Sequence, residues 1–380
     1  MIYLDNAATS WPKAPGVVRA VVNVLKSAAG NPGRTSHRSA LDAAELIQEC
    51  RENLAALIGV GNPLRICFTA NTTEALNLAI KGVLKPGDHA ICSSMEHNSV
   101  WRPLVALESS GVELSIAQAN SHGVLVRAAV ERLIRGNTRL IVLTHASNVN
   151  GAIQPVAEVG ELARSRGIPF LVDAAQSAGS IPIDVKAMKI DLLAFPGHKG
   201  LLGPQGTGGL YVSEHVDLRP LMEGGTGSHS LEAAQPAEFP DRLESGTLNL
   251  PGIAGLNCSV QYLLKKGVAT VARHEARLTR RLIEGLKCVD GVTVYGPGAE
   301  IDRAPAVSFN LCEWDAMAVA EQLESRAGIA CRPGWHCAGL AHRTLGTAEQ
   351  GTVRLSPGPF TRAAEIDAAI ETVAGLASNG

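Results

Sequence analysis

The 380-residue chain is 46% hydrophobic and 18% charged, with 34 basic and 36 acidic residues for a formal charge of −2. So even a balance offers no electrostatic footprint for nucleic acid or an anionic membrane. The apolar fraction excludes global disorder, and the length fits one large domain plus a smaller one. No apolar run reaches the roughly 18 residues of a membrane span, and "MIYLDNAATS" lacks the basic start and apolar stretch of a signal peptide.

In chain order, short apolar runs alternate with helical patterns from residue 60 to 213. The runs are "LRICFTA" (64–70), "HAICSS" (89–94), "VELSIA" (112–117), "RLIVLTHAS" (139–147), "PFLVDAA" (169–175) and "DLLAFP" (191–196). They are rich in Val, Ile and Leu and alternate only weakly, as strands buried on both faces do. Amphipathic stretches such as "VAEVGELARSRG" (156–167) lie between them, and this one ends on a C-cap glycine. The pattern predicts a parallel α/β sheet, with "GTGGLYVS" (206–213) as an antiparallel neighbour. Residues 222–251 are rich in Gly, Ser and Pro and read as a long functional loop. A helix pair (252–288) follows. An α+β segment comes last, with strands near 292–296, 305–311 and 351–356 and helices near 314–327 and 361–377.

Eight cysteines are scattered with no CxxC pair, so no zinc cluster and no metal site is expected. Several lie in apolar runs and read as small buried hydrophobes, which points to a reducing cytoplasm.

In a parallel sheet, ligands bind beyond the carboxyl ends of the strands. The residues there are Asn71-Thr72-Thr73, Glu96-His97-Asn98, Asn148-Val149-Asn150, Asp173 with Gln176, and His198-Lys199. "FTANTTEAL" runs from strand into helix. By itself that is a capped helix, but its start also suits a phosphate. Asp173 ends an apolar strand, where it either caps the next helix or pairs with a cation such as a pyridine N–H. His97 alone would be structural; beside a flat ring it could stack and move protons. Lys199 comes 26 residues after Asp173, one β-α-β step on. A pyridinium-pairing acid, an attacking amine and a phosphate-binding helix start are together what pyridoxal 5′-phosphate needs.

The stretches "YLDNAAT", "NTTEALN", "EHNS", "SNVNG", "VDAAQSAG", "GHKGLLGPQGTGGLYV", "ESGTLN" and "RPGWHCA" run in order from residue 3 to 337. In these the chain resembles the cysteine desulfurase and selenocysteine lyase group of the class V aminotransferase-like, fold-type I pyridoxal phosphate enzymes. The resemblance implies a large cofactor domain over 15–255, built on a mostly parallel central sheet. A smaller α+β domain would combine 1–14 with 256–380 and carry a cysteine loop. It implies that Lys199 bonds the cofactor covalently, Asp173 pairs with the pyridine nitrogen, His97 stacks on the ring and Gln176 bonds the phenolic oxygen. Thr72, Thr73 and His198 would hold the phosphate, with Thr247 reaching in from the other subunit of a homodimer. Asn148 and Arg354, with Arg332 as a further candidate, would bind the substrate carboxylate.

Cys337, after the Pro-Gly of "CRPGWHCA", sits where the family keeps its persulfide-forming cysteine. Cys331 lies close enough in sequence to pair with it, though a cytoplasm disfavours a disulfide. The function so implied is conversion of L-cysteine to L-alanine, with sulfur passing to Cys337 and then to an acceptor protein. Selenocysteine lyase, a class V aminotransferase and a non-catalytic sulfur-carrier scaffold are the alternatives. The chain departs from many relatives at Pro196, where they carry a serine before "GHK", at Trp335, where they carry histidine, and in "LSPGPF" after Arg354.

Overall fold

Buried strand residues alternate between two apolar layers, and this alternation builds the centre of the molecule. Ile66, Phe68, Ile91, Ile141, Leu143, Phe170, Val172, Leu193 and Phe195 face one core. Their neighbours Cys67, Ala90, Cys92, Leu140, Val142, Leu171, Leu192 and Ala194 face the other. Successive side chains on a strand point to opposite faces, so a sheet covered on both sides needs apolar residues at every position.

The structure is a computed structural model describing residues 1–27, 30–32, 37–312 and 314–378. Its first half comprises β1 (Ile2–Tyr3), α1 (Val17–Lys26), α2 (Arg38–Ile58), β2 (Ile66–Thr69), α3 (Thr72–Val83), β3 (His89–Ser93), α4 (Asn98–Glu108), β4 (Glu113–Ala117), α5 (Arg127–Glu131), β5 (Thr138–Thr144) and α6 (Val156–Ser165). The rest comprises β6 (Phe170–Asp173), β7 (Leu192–Pro196), β8 (Gly208–Val212), α7 (Leu250–Lys266), α8 (Val268–Lys287), β9 (Val292–Tyr295), β10 (Val307–Leu311), α9 (Ala316–Ala327), β11 (Ile329–Ala330), β12 (Arg332–Gly334), α10 (Gly339–Thr344), β13 (Thr352–Leu355) and α11 (Ala363–Ala377).

Seven strands form the main sheet in the order β2-β8-β7-β6-β5-β3-β4. The pairs β3–β4, β3–β5, β5–β6 and β6–β7 are parallel. β8 is antiparallel to both β7 and β2, so it alone runs against the rest. The six expected strands and the antiparallel neighbour are all present. β8 lies between β2 and β7, and Gly208 is in register with both Thr69 and Pro196. The carboxyl ends of β2 and β7 thus meet over Gly208. A Cβ there would lie 2.8 Å from the Phe195 carbonyl and 3.0 Å from the Asn71 backbone, so only glycine lets the start of α3 approach the loop after β7.

No helix or strand forms between Val212 and Leu250, which matches the loop expected over 222–251. A second, antiparallel sheet has the order β12-β13-β10-β9, and α8, α9 and α11 share its apolar core. β1 pairs in parallel with β11, and Asp5 bridges to Ser356. The first residues of the chain are thereby fastened to the last third. Among the described residues, no helix is long and apolar enough to cross a membrane.

β2 is an edge strand, and its outer backbone groups need partners. Arg51 of α2 donates to the Ile66 carbonyl, while the Phe68 N–H donates to Glu244 at 2.5 Å. The two side chains meet as a buried bidentate pair, at 2.8 and 2.5 Å, and the Arg51 guanidinium lies 4.6 Å from the Phe68 ring centre. One ion pair therefore ties a helix, the sheet edge and the long loop together. Removing either partner strands a buried charge. Glu244→Ala should lower unfolding free energy by roughly 3–5 kcal/mol. Adding Arg51→Ala should cost much less than a second such step, as a double-mutant cycle in urea would show.

Candidate active site

The loop after β7 carries Lys199 to the carboxyl edge of the main sheet, where a cavity of about 100 Å³ opens. Thr72, Thr73, His97, Asn148, Asp173, Gln176, His198 and Lys199 line it, all singled out in the sequence. Strand ends supply them: Thr72 and Thr73 follow β2, His97 follows β3, Asn148 follows β5, and Asp173 is the last residue of β6.

The Lys199 amine makes no hydrogen bond and no ion pair within 4.0 Å among the described residues. Removal from water pulls its pKa down to about 8; nearby Asp173 opposes that shift, and Arg354 and Arg332 reinforce it. Asp173 is 3% exposed. One of its oxygens accepts from the Ala175 N–H at 2.9 Å. Burial raises its pKa, while that N–H and the Lys199 charge lower it. His97 is held well below the usual histidine range, at about 4, by burial and by the charges of Lys199, Arg332, Arg102 and Arg354. Its Nδ1 accepts from the Ser99 N–H at 3.0 Å, which leaves the hydrogen of the neutral ring on Nε2. Burial likewise takes His198 down to about 4, helped by Lys199 and Lys13.

The start of α3 faces this cavity. Asn71 caps it by accepting from the Glu74 N–H at 2.9 Å, and Glu74 in turn accepts from the Ala70 N–H at 2.6 Å. The amides of Thr72 and Thr73 stay unpaired, as the first donors of a helix do. Free amides, a helix dipole and threonine hydroxyls suit a phosphate. The unpaired oxygen of Asp173 suits a protonated ring nitrogen, and the unpartnered Lys199 amine suits an aldehyde. These residues fit pyridoxal phosphate.

Arg332, Arg354 and Cys337 do not line the cavity but are wired to it. Arg354 is 1% exposed. It donates to the Asn148 carbonyl at 2.9 Å and to Asp5 at 2.8 Å, and its Nε has no partner. The Asn148 amide donates to the His336 carbonyl at 2.6 Å. The Asn98 N–H donates to the Cys337 carbonyl at 2.8 Å. Arg332 Nη2 lies 3.6 Å from the exposed Cys337 sulfur.

Pro333 and Gly334 belong to β12 and not to a turn. The bend comes after them, at His336 (φ 50°) and Cys337 (φ 56°). Two adjacent left-handed non-glycine residues cost on the order of 1–3 kcal/mol each. The bonds from Asn148 and Asn98, and one from the His336 ring to the Arg332 carbonyl at 3.0 Å, hold them there. Cys331 and Cys337 are both free thiols. Burial pushes the Cys331 thiol up to about 12, which keeps it protonated.

Thr247 is not brought to this cavity. It is exposed in a separate groove with Glu74, Thr207 and Glu244. Pro196 does not line the cavity either. Ser99 does, and the sequence reading passed over it: its Oγ lies 2.8 Å from Thr73 Oγ1 and 2.9 Å from His97 Nδ1. Its place two residues after a helix-capping histidine was the one available signal. Asp5, the partner of Arg354, was also missed, although it stands inside the quoted "YLDNAAT".

Known proteins share the sequence pattern and the fold of this chain. The aminotransferase class-V family model matches residues 2–369. A probable cysteine desulfurase of Methanothermobacter thermautotrophicus is 37% identical, covering 100% of this chain and 95% of its own. The apo structure of a cysteine desulfurase from Thermococcus onnurineus superposes with a TM-score of 0.94 at 34% identity, over 100% of this chain and 95% of that one. The cysteine desulfurase CsdA of Escherichia coli superposes with a TM-score of 0.89 at 28% identity, over 100% and 94%. The chain belongs to the aminotransferase class-V family.

Proposed function

We propose that this chain is a pyridoxal phosphate-dependent cysteine desulfurase, which turns L-cysteine into L-alanine and leaves the sulfur on Cys337. The observation that carries this reading is an unpartnered, desolvated lysine facing a buried carboxylate across a cavity, with a cysteine wired to the same cavity through Asn148. The cysteine desulfurase relatives above support it.

Bound pyridoxal phosphate supplies an electron sink for the substrate Cα once its proton is lost. Asp173 would pair with the ring nitrogen, His97 would stack on the ring, and Gln176 would bond its oxygen. The amides of α3, Thr72, Thr73 and His198 would hold the phosphate. Ser99 supplies a further hydroxyl beside Thr73. Lys199 is the amine that holds the cofactor and then takes the Cα proton, a role that needs the neutral form favoured by burial.

Asn148 and Arg354, with Arg332, would orient the substrate carboxylate. Cys337 Sγ attacks the substrate sulfur, so that an S–S bond forms as the Cβ–S bond breaks. Cβ gains a proton and is reduced to the methyl of alanine, while the transferred sulfur is oxidised to the persulfide level. His97, neutral with its proton on Nε2, is the shuttle available for this step.

Thr247, exposed and outside the lining of its own cavity, would serve the site of a partner subunit in a homodimer. The persulfide on an exposed cysteine would pass to an acceptor protein. A reducing cytoplasm suits eight free thiols.

Cys337→Ala should retain the visible band of bound cofactor and lose alanine release from L-cysteine by about 10²-fold or more. Its turnover of L-selenocysteine should persist, because selenium leaves without an enzyme thiol. Full cysteine turnover in this variant would overturn the assigned role. Asp173→Asn should keep the fold by circular dichroism and lower turnover by roughly 10²–10³-fold. A turnover equal to that of the unaltered chain would remove Asp173 from the mechanism.

A further inference from the structure

The segment between β1 and α1 packs on the loop after β7, and it carries a lysine with no acid beside it. Lys13 is half-buried and makes no ion pair within 4.0 Å among the described residues. Its ammonium donates to Thr9 Oγ1 at 3.3 Å, to Ser10 Oγ at 3.1 Å and to the His198 carbonyl at 3.1 Å. Burial brings Lys13 down to about 8, so it keeps its charge near neutral pH, and an ammonium has three donors and no acceptor. The desulfurase reading has no use for Lys13 or Thr9, yet both meet the residue that precedes Lys199.

We propose that Thr9 is a positioning residue for His198: with Lys13 on its oxygen, the Thr9 hydroxyl turns its proton onto His198 Nδ1, and the ring keeps its own proton on Nε2 as a donor for the cofactor phosphate. The hydrogen bonds set this direction. Thr9 Oγ1 lies 3.1 Å from His198 Nδ1 and 3.2 Å from the His198 carbonyl, and its single proton can serve only one of them. The carbonyl is already taken. Besides Lys13, it accepts from the Ser10 N–H at 2.9 Å and from the Ser10 hydroxyl at 3.0 Å, which is more than its two lone pairs require. The Thr9 proton therefore goes to the ring nitrogen.

The segment is fixed on both sides of Lys13. The Thr9 carbonyl accepts from the Tyr3 hydroxyl at 2.8 Å, and the Ala14 N–H donates to the Leu202 carbonyl at 3.2 Å. His198 lines the main cavity with Thr72 and Thr73, and its Nε2 has no hydrogen-bond partner among the described residues. Burial and the charges of Lys199 and Lys13 keep its ring neutral. A neutral imidazole has one N–H, so the ring can donate from Nε2 only when Nδ1 is the acceptor. The other tautomer would leave Nε2 with a lone pair, which repels an anion.

The inference rests on the pyridoxal phosphate reading, and the test separates the two. The full-length chain, stripped of cofactor, is titrated near neutral pH with pyridoxal phosphate and with pyridoxal, which has the ring and aldehyde but no phosphate. The visible band reports a dissociation constant for each. Thr9→Val should weaken pyridoxal phosphate by about tenfold and leave pyridoxal unchanged. Thr9→Ser, which keeps the hydroxyl, should bind both as the unaltered chain does. Lys13→Met should move the ratio of the two constants the same way as Thr9→Val. NMR of the ring nitrogens in histidine-labelled protein, with His198 identified by its loss in His198→Gln, should show the proton on Nε2. A proton on Nδ1, equal weakening of both ligands in Thr9→Val, or an unchanged ratio in Thr9→Val or Lys13→Met overturns this role while leaving the cofactor reading intact. Absence of any band in the unaltered chain overturns the cofactor reading, and this inference with it.

Discussion

The site depends on keeping one lysine amine away from water without giving it a partner. An isolated ammonium in such a place is unfavourable, and the amine answers by releasing its proton more readily. Everything around Lys199 serves that balance. β7 is buried along its whole length, as is Gly197, so the chain leaves the core only one residue before Lys199. Asp173 lies near enough to act on Lys199 by its charge but makes no ion pair with it. Were the two in contact, the salt bridge would hold the lysine as an ammonium and its nucleophilicity would be lost. Both line the same cavity, where the ring nitrogen of the proposed cofactor would meet the acid and its aldehyde the amine.

That arrangement was largely legible in the sequence, because it follows from strand order. A parallel sheet sends every carboxyl end to one edge, so Thr72, His97, Asn148, Asp173 and Lys199 could be gathered by counting strands. Short runs rich in Val, Ile and Leu, with only weak alternation, marked those strands. Two contributors to position were less visible. β8 entered the sheet between β2 and β7, and this insertion, through Gly208, sets how closely the start of α3 approaches Lys199. The helices before residue 60 were also not singled out, although α2 supplies Arg51 to the edge of β2.

Side-chain wiring was not legible, for a physical reason. Arg354 meets Asp5 across 349 residues of chain, and Asn148 meets His336 across 188. No local pattern encodes such pairs, since each half has an ordinary reading where it stands: Asp5 follows a short strand and His336 precedes a cysteine. Ser99 and Lys13 escaped for the same reason. Serine after a helix cap, or lysine beside a proline in a loop, is what solvation alone would place there. Only the packed structure shows that one touches both Thr73 and His97, and that the other donates to Thr9, Ser10 and the His198 carbonyl.

The cysteine segment shows what such wiring achieves. A thiol on a long free loop could swing between the cavity and a distant acceptor. Here the turn is held in left-handed geometry by Asn148, Asn98 and the His336 ring, and β12 anchors its start through pairing with β13. The strained residues are held by bonds on both sides, with Cys337 beside Arg332 and exposed to solvent. Under the proposed function, this geometry would present the transferred sulfur at the protein surface, where an acceptor could meet it without entering the cavity.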